Sequence, residues 1–340
     1  MSGDVSFYGD RVGGGRKAWI DAARGYAMLA IYLFHTETYY AGGTVIDYGL
    51  YVDNALSCFF VISGYLFCSP GSDVSLRRKL RSVARGIVLP YFVFTLLLAL
   101  PKHLFHGSGE SAADVLLTIV KGQASWFVAA LAVAEVMFAL MMQLPSAVRR
   151  VAVPVICVAG YAASFFLTFE VMFVWYACVA LMSLIFIYAG MLYRTFERRI
   201  DAAMRPAVFA ACAALLVALK WYEWRMGWEM IYGPYCGESA AVFLVDNIVA
   251  SLLILSLAKR FDGLRLVNLV GRNSLVWYFF AGASPALSAT LFGLAGLPYA
   301  GRYFMVLPVM AAACCMSAAG TAVVNRVKRR LKRAGRVGDA

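Results

Sequence analysis

The sequence predicts an all-α, polytopic membrane protein with about ten transmembrane helices and both termini on the cytoplasmic side. Three observations predict this class. Of the 340 residues, 62% are hydrophobic, whereas soluble domains are nearer half apolar. The charged residues make up only 15% of the chain and lie in clusters between apolar runs. Most of those runs approach the length of about 20 residues that an α-helix needs to cross a bilayer.

Ten candidate spans follow one another along the chain. They lie near residues 18–40, 50–68, 84–105, 125–144, 150–169, 172–193, 206–222, 240–258, 274–293 and 303–324. The fifth and sixth are separated by little more than Glu170, so we expect them to form a tight antiparallel hairpin. The seventh is short. We therefore expect a flexible cytoplasmic tail at 1–16, a transmembrane domain at 17–325 and a basic cytoplasmic tail at 326–340.

The distribution of Lys and Arg gives the expected orientation. When the loops are taken alternately, the set that includes both termini holds 25 of the 31 Lys and Arg, and the opposite set holds 5. Because cytoplasmic loops of membrane proteins carry an excess of these residues, both termini are predicted to be cytoplasmic. The net charge of +12 has the same explanation. The basic run after Asn325 fits anionic lipid headgroups better than nucleic acid, so no nucleic-acid partner is expected.

Cysteine and histidine residues give little indication of a metal site. Seven of the eight cysteines lie in or at the end of apolar segments, and there is no Cys-x-x-Cys pair, so we expect buried thiols. His103 and His106 are three residues apart, but no further ligand lies near them, which favours a solvated loop. No metal is expected. The first apolar run is not followed by a cleavage motif, so no signal peptide is expected.

The first predicted helix carries ionisable residues at membrane depth. Asp21, Arg24 and His35 lie within it, and such groups are costly inside a bilayer and mark functional sites. Arg24 and His35 are eleven residues apart, which places them on one face of a helix, about 16 Å apart along its axis. Asp21 is close enough to pair with Arg24. A neutral imidazole at His35 could act as a general base toward a hydroxyl group.

Two motifs resemble one known family. The spacing of Arg24 and His35, together with the block CFFVISGYLF at Cys58–Phe67, is similar to the integral membrane acyltransferase-3 family. The resemblance implies that His35 is catalytic and that Arg24 holds a phosphate or carbonyl group of an acyl donor. Glu37 is a second catalytic candidate, which could orient His35 only if the helix ends there. Ser57 stands where many family members carry Asp or Pro.

Further blocks resemble the same family. The stretch RRKLRSVARGIVLPYF is similar to its basic entry to the third helix. The positive-inside rule explains most of this charge, but a donor with several phosphates would also need such cations. The expected donor-binding residues are Arg24, Arg77, Arg78, Arg81 and Arg85. The expected cavity-lining residues are Asp21, Ser63, Tyr65, Trp126, Glu135, Asn273 and Ser274.

Other intramembrane polar groups need partners. Glu135 lies deep in the fourth predicted span and must pack against a cation or belong to the site. Asp246 and Asn247 raise the same question in the eighth span, without a matching family motif. The late block GRNSLVWYFF at Gly271–Phe280 resembles one that family members usually follow with a His. This chain has Ala281 at that place.

The resemblance implies a membrane O-acyltransferase. The expected reaction moves an acyl group, expected to be acetyl, from cytoplasmic acyl-coenzyme A to a hydroxyl of a cell-surface glycan or lipid-linked sugar. Acyl-coenzyme A would be a co-substrate, with no bound cofactor. The expected location is the bacterial inner membrane, among membrane lipid and polysaccharide synthesis or export machinery. Two alternatives are a transporter or flippase without covalent chemistry, which the lack of matching broken helices weakens, and a non-catalytic partner of such machinery.

Overall fold

The structure is a computed structural model, and it describes residues 17–67, 74–106, 111–165, 174–229, 232 and 238–337. The predicted N-terminal tail at 1–16 lies outside the described residues, as do the side chains of His103 and His106. Throughout the described part of the chain the regular structure is helical, without a β-strand. The prediction of an all-α fold is confirmed.

The described residues form a succession of helices along the chain. They are α1 (Ala18–Tyr40), α2 (Val52–Phe67), α3 (Leu76–Val83), α4 (Leu89–His106), α5 (Ala112–Val120), α6 (Trp126–Met141), α7 (Ser146–Ser164), α8 (Ala177–Thr195), α9 (Glu197–Ala203), α10 (Pro206–Met226), α11 (Ala240–Arg260), α12 (Arg265–Arg272), α13 (Ser274–Leu294) and α14 (Val306–Val337). A π-helical segment, Ala84–Val88, joins α3 to α4.

Each of the ten predicted spans overlaps one of these helices. In the described residues, 8 helical segments are long and apolar enough to cross a membrane. The other two predicted spans correspond to α1, which carries several ionisable residues, and to α2, which has only 16 residues. The chain is therefore a multi-pass, all-α membrane protein.

Several helix ends differ from the predicted ones. The third span begins earlier, at Leu76, because an amphipathic helix precedes the apolar run. The seventh has 21 residues rather than being short. The fifth and sixth do pack together, with Gly160 of α7 against Leu181 of α8, and the predicted turn around Glu170 lies outside the described residues. The last helix continues to Val337, across the predicted start of the basic tail.

The chain forms two compact units. The second unit, Ala18–Ala55 with the chain from Ala258 onward, is built around α1, which packs against α12, α13 and α14. The crossing of α1 and α12 depends on two glycines. A Cβ atom on Gly271 would lie 1.7 Å from the carbonyl oxygen of Asp21, and one on Gly25 would lie 2.2 Å from that of Val267. Small residues of this kind let membrane helices approach closely.

The first unit contains Lys17 and Leu56–Leu257. Its centre is the packing of α6, α7 and α8, with α2 crossing α8 at a second pair of glycines. A Cβ atom on Gly64 would lie 1.9 Å from the carbonyl oxygen of Ile187, and one on Gly190 would lie 1.9 Å from that of Val61. Aromatic rings fill the neighbouring core: Phe60, Phe127, Phe186, Tyr232 and Phe243.

Candidate functional site

The helix that carries Arg24 and His35 is unbroken. Helix α1 runs continuously from Ala18 to Tyr40, so the spacing deduced from the sequence holds in the structure. Arg24 is buried, with 7% of its surface exposed, and His35 is partly buried. A buried guanidinium at one end of the helix and an imidazole about 16 Å further along its axis therefore share one face.

Asp21 lies at the closest part of the α1–α12 crossing. Its carboxylate is almost fully buried and accepts a hydrogen bond from Nε of Arg272 at 3.2 Å. This ion pair links the first turn of α1 to the last residue of α12. Asp21 therefore ties the N-terminal end of the helix that carries Arg24, the end predicted to be cytoplasmic, to α12.

His35 lies among aromatic rings. Its imidazole is 5.2 Å from the ring of Phe34 and stacks on Tyr39 at 6.3 Å. Tyr48, from the segment between α1 and α2, packs edge-on against Phe34 at 5.0 Å. Within the described residues the imidazole makes no hydrogen bond. Its two nitrogens are therefore free to exchange a proton with a bound molecule.

Tyr48 adds a neutral hydroxyl to this aromatic group. Burial raises the pKa of Tyr48 well above its ordinary value, and the nearby Asp53 and Tyr278 raise it further. At neutral pH this phenol is fully protonated and can both donate and accept a hydrogen bond.

Glu37 is fully buried, and three donors meet its carboxylate. One oxygen accepts hydrogen bonds from the backbone N–H groups of Val45 and Ile46, at 3.0 and 3.1 Å. The other accepts one from the Tyr303 hydroxyl at 2.5 Å. Glu37, predicted as a catalytic candidate, is thus directed to the following loop and to the segment before α14.

A line of hydroxyl groups lies one turn before His35. Tyr32 donates a hydrogen bond to the carbonyl oxygen of Trp277 at 2.9 Å, and its hydroxyl oxygen lies 2.6 Å from that of Ser317. Ser317 lies 2.9 Å from the Ser284 hydroxyl. These contacts join α1, α13 and α14 by polar groups at membrane depth, where such bonds help to hold helices together.

In the first unit, two of the residues that were predicted to line a cavity, Ser63 and Glu135, contact each other. Ser63 donates a hydrogen bond to one oxygen of the Glu135 carboxylate at 2.5 Å, and Nζ of Lys79 lies 3.0 Å from the other. The Lys79 ammonium also lies 4.1 Å from the centre of the Phe67 ring. The buried carboxylate of Glu135 therefore has its cation, and this cation belongs to the basic run in α3.

Tyr65 belongs to a separate polar cluster. Its hydroxyl donates a hydrogen bond to Glu197 at 2.6 Å and accepts one from Lys17. Lys17 also pairs with Glu197 at 3.2 Å. The guanidinium of Arg194 lies 4.8 Å above the Tyr65 ring. These charges join the C-terminal ends of α2 and α8 to Lys17 at the predicted cytoplasmic side.

The four predicted donor-binding arginines of this unit are exposed: Arg77, Arg78, Arg81 and Arg85. Lys79 points the other way and is only partly exposed. Arg85 lies in the π-helical segment, an uncommon form that often occurs at functional sites. The arginines thus form an exposed basic surface.

The remaining predicted cavity residues have structural contacts. Trp126 lies against the rings of Phe127, Tyr176 and Tyr232. The side-chain oxygen of Asn273 accepts a hydrogen bond from Asn325 at 3.1 Å, which connects the start of α13 to α14. Ser274, the first residue of α13, is partly buried.

Asp246, for which the sequence predicted an unidentified partner, pairs with Lys220. The ammonium group of Lys220 lies 2.7 Å from Asp246 and 3.3 Å from Glu223, and all three side chains are almost completely buried. The sequence did not single out Lys220, nor Tyr303 opposite Glu37. Both are polar residues near the end of a predicted span, a signal that is too common to identify a contact.

Within the described residues, no group of three or more His, Cys, Asp or Glu side chains could hold a metal ion. A family model described as an acyltransferase domain, that of the acyltransferase-3 family, matches residues 17–326. No curated protein and no solved structure matches the chain. Since the match covers most of the sequence and includes Arg24 and His35, the chain belongs to this acyltransferase family and is a multi-pass membrane acyltransferase.

Proposed function

We propose that the protein is an O-acyltransferase that moves an acetyl group from cytoplasmic acetyl-coenzyme A to a hydroxyl of a cell-surface glycan or lipid-linked sugar. The observation that carries this proposal is the unbroken helix α1, which holds Arg24 and His35 on one face. A donor with phosphates at one end and a thioester at the other suits a cation and a base separated by about 16 Å.

The proposed chemistry uses His35 as a general base. The neutral imidazole takes the proton of the acceptor hydroxyl while its oxygen attacks the thioester carbonyl carbon. The carbon–sulfur bond then breaks, and the coenzyme A thiolate takes the proton back from the imidazolium. The alternative route passes the acyl group first to His35 and then to the acceptor. In both routes the products are an O-acyl sugar and free coenzyme A.

The arginines would serve the donor. A guanidinium matches a phosphate with two parallel hydrogen bonds, so Arg24 would hold the donor's phosphate end. The exposed arginines Arg77, Arg78, Arg81 and Arg85 would attract the donor's negative charge from the cytoplasm. No bound cofactor is required, because the donor is consumed as a co-substrate.

The acceptor would be a sugar reached from the side opposite to the donor. Tyr39, whose exposed fraction is 48%, and the neutral Tyr48 offer an aromatic surface with hydroxyl groups beside His35. Sites of this mixed apolar and polar kind are common for small ligands. The proposed location is the inner membrane of a bacterium, surrounded by membrane lipid and near polysaccharide synthesis or export machinery.

The test uses membrane vesicles that contain the protein, acetyl-labelled coenzyme A and a crude glycan acceptor. We expect label in the glycan with the wild type and a loss of about 100-fold or more with His35→Ala, since a general base contributes this much or more. The matched control is Thr290→Ala, an exposed hydroxyl that bonds only its own helix; it should keep wild-type transfer.

Two results would contradict the proposal. Equal transfer by the wild type and by His35→Ala would remove His35 from the reaction. No transfer by folded wild-type protein with several acyl donors, while a sugar or lipid still crosses the membrane, would instead support a transporter.

A further inference from the structure

We propose that Glu37 is a positioning residue that holds the segment 41–51, here called the α1–α2 loop, as a fixed wall beside His35. This proposal rests on the proposed function, because it assigns the loop the task of guiding the acceptor hydroxyl to His35. Glu37 acts through the loop backbone and is not itself a base.

The contacts of Glu37 close the loop onto the end of α1. One carboxylate oxygen accepts from two successive backbone N–H groups, those of Val45 and Ile46. Two adjacent N–H groups directed at one anion form a compact binding geometry. The second oxygen accepts the Tyr303 hydroxyl, which ties the same carboxylate to the segment before α14. The loop is therefore fixed at its middle as well as at its two ends.

Burial makes these bonds matter. Glu37 is 0% exposed, and a buried carboxylate is tolerated only when donors surround it. Charge-assisted hydrogen bonds of this kind are stronger than neutral ones. The loop itself contains Gly42 and Gly43 and is exposed from Gly42 to Val45, so little else holds this part in one conformation.

The fixed backbone leads directly to the His35 environment. Asp47 follows Ile46 and accepts the N–H of Gly49 at 2.8 Å, which forms the short turn that presents Tyr48. Tyr48 then packs against Phe34, the neighbour of His35. A shift of residues 45 and 46 would therefore move Tyr48 and open the space beside the imidazole.

The position of Glu37 on α1 argues against a direct catalytic role. It follows His35 by two residues, and side chains two apart on a helix point in different directions. Glu37 could orient His35 only if helix α1 ended at Glu37. Since α1 continues to Tyr40, the side chain of Glu37 is not turned toward His35.

The experiment compares Glu37→Gln and Tyr303→Phe in the full-length protein. Glu37→Gln keeps the size of the side chain and removes its charge. Tyr303→Phe removes only one hydrogen-bond donor to Glu37, so it still tests the proposal if Glu37→Gln does not fold. The control is Thr38→Val, because this neighbouring hydroxyl bonds only the carbonyl of Phe34 in its own helix.

Two measurements are made on each variant. Hydrogen–deuterium exchange of the peptide that contains Val45 and Ile46 reports, without any substrate, whether Glu37 holds the α1–α2 loop. This hold on the loop is here called the clamp. Steady-state transfer reports the KM for the glycan acceptor and for acetyl-coenzyme A separately. For Glu37→Gln we expect the exchange rate of this peptide and the KM for the glycan acceptor each to rise about tenfold. The KM for acetyl-coenzyme A should stay nearly unchanged. Tyr303→Phe should show the same pattern to a smaller extent, and Thr38→Val neither.

The outcomes test separately whether Glu37 holds the loop and whether the loop positions the acceptor. Unchanged exchange in Glu37→Gln would refute the clamp. Faster exchange with an unchanged acceptor KM would refute its role in positioning the acceptor. A loss of kcat with an altered pH profile and unchanged exchange would instead make Glu37 a direct participant. If the wild type transfers no acyl group, the proposed function and the acceptor role fail together, while the exchange result still decides the clamp.

Discussion

Glu135 and Lys79 neutralise each other in an environment that does not tolerate an isolated charge. The carboxylate is 2% exposed, and the ammonium lies 3.0 Å away. Breaking a buried ion pair from one side leaves an uncompensated charge, which costs far more than losing both partners. The stability of this part of the protein should therefore depend on having both groups or neither.

We expect Glu135→Ala to lower the free energy of unfolding by about 3–5 kcal/mol, because Lys79 would lose its carboxylate. The double variant Glu135→Leu with Lys79→Met should be clearly more stable than Glu135→Ala. Thermal unfolding in detergent measures both. Arg150→Met, which changes an exposed cation, serves as the control and should unfold like the wild type. Equal losses for the single and double variants would show that the ion pair contributes little.

The sequence showed that Glu135 needs a partner in the membrane but did not show which residue that partner is. Glu135 was predicted to need a cation or to belong to the site, and it has both Lys79 and Ser63 as partners. Lys79 could not be selected from the basic run, because its neighbours are equally charged and only the amphipathic direction of α3 turns it inward. Glu37 shows the same limit, since two of its donors are backbone groups that no residue type reveals.

At the level of helices, the closest contacts depend on glycine. Gly64 and Gly190 lie opposite each other where α2 crosses α8, and a Cβ atom on either would meet a backbone carbonyl at 1.9 Å. Backbone atoms cannot move aside as the end of a flexible side chain can. A methyl group at either position must therefore push the two helices apart.

We expect Gly64→Ala and Gly190→Ala each to destabilise the protein by about 1–3 kcal/mol, the range for overpacking a core. Gly293→Ala is the matched control. It replaces a glycine in α13 that has open space around the added methyl, so higher helix propensity should leave it neutral or slightly stabilised. Melting temperatures in one detergent decide the matter. Wild-type melting for both α2 and α8 variants would mean that the crossing is looser than described.

Helix positions could be predicted because apolar length is a direct consequence of bilayer thickness. Helix ends could not, since they depend on capping and on packing beyond the apolar run. The start of the third span at Leu76 is an example. Helix α3 is polar on one side, so its hydropathy did not predict it as part of the span, although it is continuous with the span. Ser75 caps its first turn by accepting the N–H of Arg78, a weak local signal that could have found it.

At the level of the whole molecule, the orientation in the membrane stays a prediction that rests on charge. The loops on the predicted inner side and the two termini together hold 25 of the 31 Lys and Arg. An error of one helix in the middle of the chain would exchange the two sides for everything that follows. Labelling two loops on either side of α13 tests this directly.

We expect Ala300→Cys to react with a membrane-impermeant maleimide in intact cells, and Gly263→Cys to react only after the membrane is opened. Both positions are exposed or partly exposed in connections next to α13, and a background without the eight native cysteines removes other sites. The reverse pattern would exchange the two sides of the membrane for α13 and would contradict the predicted topology of ten spans with both termini in the cytoplasm.

The all-α, multi-pass class and the position of Arg24 and His35 on one helix were predictable, because both follow from spacing along the chain. The partners of each helix were not. Nothing in the sequence around Gly25 or Gly271 indicates that these two glycines lie at the same crossing of α1 and α12. Such contacts depend on residues more than 200 positions apart, and a single sequence carries no record of which distant residues meet.

The π-helical segment Ala84–Val88 joins the α-helical stretches α3 and α4. A π-type turn has i→i+5 hydrogen bonds and takes up one surplus residue within a single wide turn of an α-helix. Deleting one residue there should therefore let the segment become regular helix while Arg77 and Arg81 keep nearly the same direction relative to α4. The same deletion within the regular part of α4 would rotate the two ends of the helix against each other by about 100°, so the π-helical segment is where this part of the chain can lose a residue without turning its basic surface.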